Sequence, residues 1–215
     1  MTVSGMRAAR GTSVSLPIPV LTANILCTRH NERLSSLDAL AADFFDSTQR
    51  NPPTGTFVTN NGHRLRTFSG PRLERWFLKL AIGLLASRNG TFPEQPDRWR
   101  PPTNLVRVLF GHESMPTPQG LYAAAINAKG VHLRVKFWRN GDGLAAMECG
   151  LGGVGFILLL SPTARPNVRA LFRPSEFLRT GATSESVMLR WPELHSAERV
   201  TIAFDGAGGD RTVTA

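Results

Sequence analysis

The chain has three lysines, one tyrosine, two cysteines and no acidic residue before Glu32. Each shortage excludes something. Cys27 and Cys149 lie over a hundred residues apart, so they cannot make the disulfide framework of a small secreted scaffold, and a reducing cytoplasmic setting is the default expectation. No C-x2-C pair occurs anywhere, which removes the ordinary four-ligand zinc ribbon. Long apolar runs are missing too. Leu80 to Ala86 and Val154 to Leu160 fall far short of the roughly 18 residues that span a bilayer, so no membrane segment is expected. Pro17 and Pro19 break the apolar stretch Val14 to Leu21, and no small-x-small site follows it, which argues against a targeting peptide. Leu26 directly before Cys27 argues against a lipid acylation site.

What is abundant is arginine. The formal net charge is +9, and arginine supplies 22 of the 25 basic residues, Lys79, Lys129 and Lys136 being the rest. A planar guanidinium binds phosphates and carboxylates as a fork and stacks on bases, so the balance points to a polyanionic partner such as nucleic acid. A compositional bias that exchanges lysine for arginine explains the ratio equally well, but not the excess of base over acid. At 215 residues and 41% hydrophobic content, the chain is long enough to bury a core as one domain, or as one domain with an appendage.

The spacing of apolar residues divides the chain in two. After an extended lead-in from Val14 to Leu26, the positions Leu37, Leu40, Ala41, Phe44 and Phe45 predict a helix starting at Ser35, with Ser35 and Asp38 as a capping box. Asn31 and Asp38 then read as helix-start residues, Asp38 as a cap. Thr56 to Thr59 and Arg64 to Arg66 read as a hairpin around Asn60-Asn61-Gly62. A second helix is predicted from Pro71 to Ser87, capped by Ser69 and stopped at Arg88-Asn89-Gly90. On it, Glu74, Arg75 and Lys79 read as a solvated edge with local pairing.

The stretch Phe92 to Pro102, with four prolines, reads as a loop or linker. Beyond it the period becomes two: Leu105–Phe110, Leu121–Ile126, Val131–Trp138, Leu144–Cys149, Val154–Leu160, Val187–Trp191 and Val200–Phe204 read as strands. The fold class is therefore α+β, a helical part of two main helices over residues 1–92 packed on an antiparallel sheet or meander over residues 103–215, the two forming one continuous domain or two. The glycine-dense Gly150 to Gly155 precedes a strand rather than a helix, so it reads as a hairpin and not as a dinucleotide cradle.

The motif L-C-x-x-H-N-x-x-L-S-x-L-D at Leu26 to Asp38, followed by Leu73-Glu74-Arg75-Trp76-Phe77-Leu78-Lys79, resembles an uncharacterised group of bacterial proteins distantly similar to HNH-type zinc-knuckle proteins. Leu171-Phe172-Arg173-Pro174 and Met188-Leu189-Arg190-Trp191 resemble the strand-rich second half of that group, so the likeness runs from Ile25 to Trp191. Cys27, His30 and Asn31 match the second knuckle only, and the first is missing. The resemblance implies zinc at Cys27 and His30, a half-site that His63, His112, Cys149 or His195 would have to complete. It also implies a metal-dependent endonuclease where base and ion are both present, although no histidine stands where the general base would.

The remaining candidates lie on one strand. His132, Arg134, Lys136 and Trp138 alternate with Val131, Leu133, Val135 and Phe137, which predicts one core face and one basic, wet face suited, with Arg139, to phosphate contact and base stacking. The function expected is sequence-tolerant nucleic-acid binding without catalysis. A metal-dependent endonuclease and a non-enzymatic structural or protein-interaction module are the alternatives.

Overall fold

The structure is a computed structural model that describes residues 2–4, 14–15, 27–48, 57–58, 64–86, 100–124, 134–140, 143–151, 154–164, 170–180, 185–192, 201–205 and 213–214. It is an α+β fold: a layer of helices lies against two sheets. The first sheet contains β1 (Thr2–Ser4), β2 (Val14–Ser15), β5 (Gly120–Ala124), β6 (Arg134–Asn140), β7 (Gly143–Leu151), β8 (Val154–Leu159) and β9 (Ala170–Phe172), in the order β2-β1-β6-β7-β8-β5-β9. The second contains β3 (Phe57–Val58), β4 (Arg64–Ser69), β10 (Glu176–Thr180), β11 (Glu185–Arg190), β12 (Thr201–Asp205) and β13 (Val213–Thr214), in the order β13-β12-β10-β11-β4-β3. An antiparallel meander exists at β6-β7-β8, with Leu151 paired to Val154 across the glycine-dense connection.

The second sheet mixes directions. β3 and β4 form the expected antiparallel hairpin, whose Asn60-Asn61-Gly62 turn lies outside the described residues. β4 then pairs parallel with β11, and β10 parallel with β12. The first half of the chain thus supplies part of a sheet whose other strands come from the last third.

Helix α1 spans Thr28–Thr48 and so begins seven residues before the expected start. The amide of Asn31 donates to the carbonyl of Cys27 at 3.0 Å, closing the first turn. Thr28 to Arg33 are all exposed, and Leu34 is the first buried residue. An apolar period cannot register a solvated turn and a half, so the expected capping box is misplaced. Ser35 instead donates to the carbonyl of Glu32 at 2.7 Å, and Asp38 caps nothing: its carboxylate meets Lys79 Nζ at 2.5 Å on the neighbouring helix. Helix α2 (Gly70–Ala86) starts as expected, with the Ser69 hydroxyl accepting from the Arg72 amide at 3.4 Å. Its expected stop at Arg88-Asn89-Gly90 lies outside the described residues.

Leu105 to Phe110 is helix, not strand: α3 spans Thr103–Leu109. Leu105, Val108 and Leu109 are buried at i, i+3, i+4 spacing, and Pro101-Pro102 sets the entry. In so short an apolar run the two valines imitate a strand. Strands β9 and β10 have no clear signal in the sequence because Leu171 to Leu178 mixes Arg, Pro, Ser and Glu into the apolar pattern.

One core joins all layers. Phe44 of α1, Phe77 of α2, Phe156 of β8 and Phe177 of β10 are each at most 1% exposed. Phe156 lies 5.9 Å from Phe44, 4.9 Å from Phe77 and 5.8 Å from Phe177, ring centre to ring centre. Tilted and edge-on aromatic contacts of this kind each contribute about 0.5–1.5 kcal/mol beyond area burial.

Candidate functional site

Cys27 and His30 come together. The one-turn spacing puts Cys27 Sγ 3.1 Å from His30 Nδ1, both exposed, and the imidazole packs edge-on against Phe110 at 5.2 Å. Among the described residues no group of three His, Cys, Asp or Glu side chains is placed to hold a metal. Cys149 is buried on β7 opposite Val135. Burial first, and Glu148 second, push its thiol pKa well up, so it makes a poor thiolate ligand. His63 and His195 lie outside the described residues. A zinc site at Cys27 and His30 would need two more donors.

The strand candidates separate. His132 lies outside the described residues, and of Arg134 the backbone alone is described, paired with Gly150. Val135 and Phe137 face the core and Lys136 faces solvent, as alternation predicts. Trp138 is not an open platform. Lys136 Nζ sits 3.7 Å above its ring, and its indole N–H donates to Glu148 at 3.2 Å. Lys136 and Glu148 are directly opposed across β6 and β7, and a bulge between Trp138 and Arg139 interrupts the register before half-buried Arg139. Farther across the same face come Tyr122, Ala146, Ile157 and Leu159, all buried, so among the described residues the wet basic face is confined to β6.

A buried polar cluster lies where the sequence suggests a solvated edge. Glu74 is 3% exposed, not solvated. It shares the apolar stripe of α2 with Phe77, Leu78 and Ala81, three, four and seven residues on, and that spacing is the legible signal. Its Oε2 accepts the Leu121 amide at 2.8 Å and stands 3.7 Å from Arg173 Nε. Arg173, 7% exposed, donates from Nη2 to the carbonyl of Met115 at 3.1 Å and lies between the rings of Phe172 and Trp191, at 5.0 and 5.4 Å. Among the described residues it is the only non-glycine with positive φ, 48°, a conformation that costs about 1–3 kcal/mol and persists where surroundings over-determine it. No periodicity signals it.

Arg75, next along α2, faces a cleft of about 220 Å³ lined by Glu74, His112, Ser114, Arg173 and Trp191. Its guanidinium lies on the backbone of Gly111, whose φ is +76° and where a Cβ would collide with Nη1. Burial, then the like charge of Arg72, lower its pKa. Both causes act against the cation it carries. No family model matches the chain, and neither curated proteins nor solved structures yield a match.

Proposed function

We propose that this protein is a cytoplasmic nucleic-acid-binding protein that grips the phosphate backbone with a basic face at one end of its helical layer. One observation carries the reading: α1 is charged against its own dipole. Arg29 and His30 stand in its first turn with no acid there, Glu32 and Arg33 follow with opposite charges, and Asp43 and Asp46 occupy its final turns. A helix N-terminus favours anions and its C-terminus cations. The arrangement therefore costs stability, and an anion bound beside Arg29 and Arg33 would offset that cost.

Contacts gather further cations at the same end. His30 and Arg33 both pack on Phe110, Arg33 Cζ lying 6.0 Å from the ring centre. Arg75 lies on the adjacent Gly111, and Arg72 donates to the carbonyl of Ser36 at 3.3 Å. The net charge of +9 and the knuckle resemblance at Cys27 to Asn31 support the same reading. No helix among the described residues is long and apolar enough to cross a membrane.

The test is the affinity of single-stranded and duplex oligonucleotides across salt. Phosphate contacts make affinity fall steeply between about 50 and about 200 mM salt. Arg29→Ala with Arg33→Ala should weaken binding of every sequence and flatten the salt slope by about one for each phosphate no longer neutralised. Salt-independent binding, or a double variant matching the parent, would refute the reading.

A further inference from the structure

Both acids that line the cleft beside Arg75 are engaged by other groups. Glu74 is committed to the Leu121 amide and to Arg173. Glu113, at the rim, is ion-paired with Arg107. Arg75 Nε is buried without a hydrogen-bond acceptor among the described residues, and its guanidinium is pressed onto Gly111 at the cleft wall. Two guanidinium groups and two carboxylates thus line the space, and both carboxylates are already engaged. The terminal nitrogens of the Arg75 guanidinium, rather than its buried Nε, would be the donors to a ligand in the cleft.

We propose that this cleft binds a terminal phosphate, with the Arg75 guanidinium as its principal donor, His112 and Ser114 at the rim, and Arg173 adding charge from behind. The assignment rests on the nucleic-acid reading for its choice of anion. A phosphate monoester carries about −1.5 to −2 charge near neutrality and presents three acceptor oxygens, which suits a fork-shaped donor better than a single point charge. About 220 Å³ admits a phosphate with the sugar attached to it, not a duplex, so a nucleic acid would enter by an end. The basic face along α1 would then hold the adjoining backbone, since Phe110 and Gly111 connect the two surfaces.

The experiment compares one single-stranded oligonucleotide carrying a 5′-phosphate, a 3′-phosphate or hydroxyls at both ends, by fluorescence anisotropy on the full chain. A mononucleotide and inorganic phosphate serve as competitors. One phosphorylated end should bind about tenfold tighter than the hydroxyl form, the scale of a charge-assisted hydrogen bond. The preference should shrink below about twofold in Arg75→Gln and survive in part in Arg75→Lys, which keeps charge but not the fork. His112→Ala, at an exposed position, should reduce it severalfold and keeps the test intact if the Arg75 variants fail to fold. A mononucleotide competing as well as the phosphorylated strand supports the site and makes a free nucleotide its source.

Equal affinity for phosphorylated and hydroxyl strands, or a preference untouched in Arg75→Gln, overturns the proposal. Salt-dependent binding with no end preference removes the cleft while leaving the nucleic-acid reading standing. Stabilisation of the parent by mononucleotide but not of Arg75→Gln, with no oligonucleotide bound, does the reverse.

Discussion

Glu74 and Asp38 are both carboxylates on helices, and burial alone makes them unequal. The Lys79–Asp38 pair has side chains 18% and 54% exposed, whereas the Arg173–Glu74 pair has 6% and 4%. Water screens the first, and such pairs contribute about 0–1 kcal/mol. Breaking the second leaves a guanidinium in a low-dielectric site, at about 3–5 kcal/mol. Glu74→Gln should therefore lower the urea midpoint markedly, while Asp38→Asn should shift it little. Equal midpoints for the two variants would contradict the burial assigned to Glu74. Its place is legible in part: helical spacing puts Glu74 on the apolar stripe, although a Glu beside Arg and Lys suggests solvent. Arg173 is not legible, because its positive φ and its partner depend on residues about a hundred positions away.

Among the elements, α1 combines a stability cost with the proposed binding surface. Arg29→Glu places a carboxylate in the first turn, where the dipole favours it by about 0.3–1 kcal/mol. The variant should melt slightly higher than the parent and bind oligonucleotides more weakly at the same salt. A variant that melts lower, or binds as well, would show that the charge inversion of α1 has no bearing on binding. The body of α1 and nearly all of α2 follow from apolar periodicity. The solvated start of α1 does not, because six exposed residues have no period to read, and α3 resembles a strand in sequence because Leu105 to Phe110 supplies too few turns to tell periods apart.

The whole molecule is tied together by pairings that ignore the midpoint of the chain. β4 lies parallel to β11, and Phe44 and Phe77 meet Phe156 and Phe177. Fragments covering residues 1–92 and 103–215 should each lack the dispersed amide spectrum of a folded domain and regain it when mixed. A fragment folded alone would show that the shared core is dispensable. By itself the sequence determined the α+β class, α2, the β6-β7-β8 meander and the excess of positive charge, since these depend on composition and on neighbours within a few residues. Only the tertiary structure decided that β4 completes a sheet with β11, that Trp138 is covered by Lys136, and that Glu74, Arg75 and Arg173 line one cleft. Those outcomes depend on which distant surfaces exclude water together, and no local spacing encodes that.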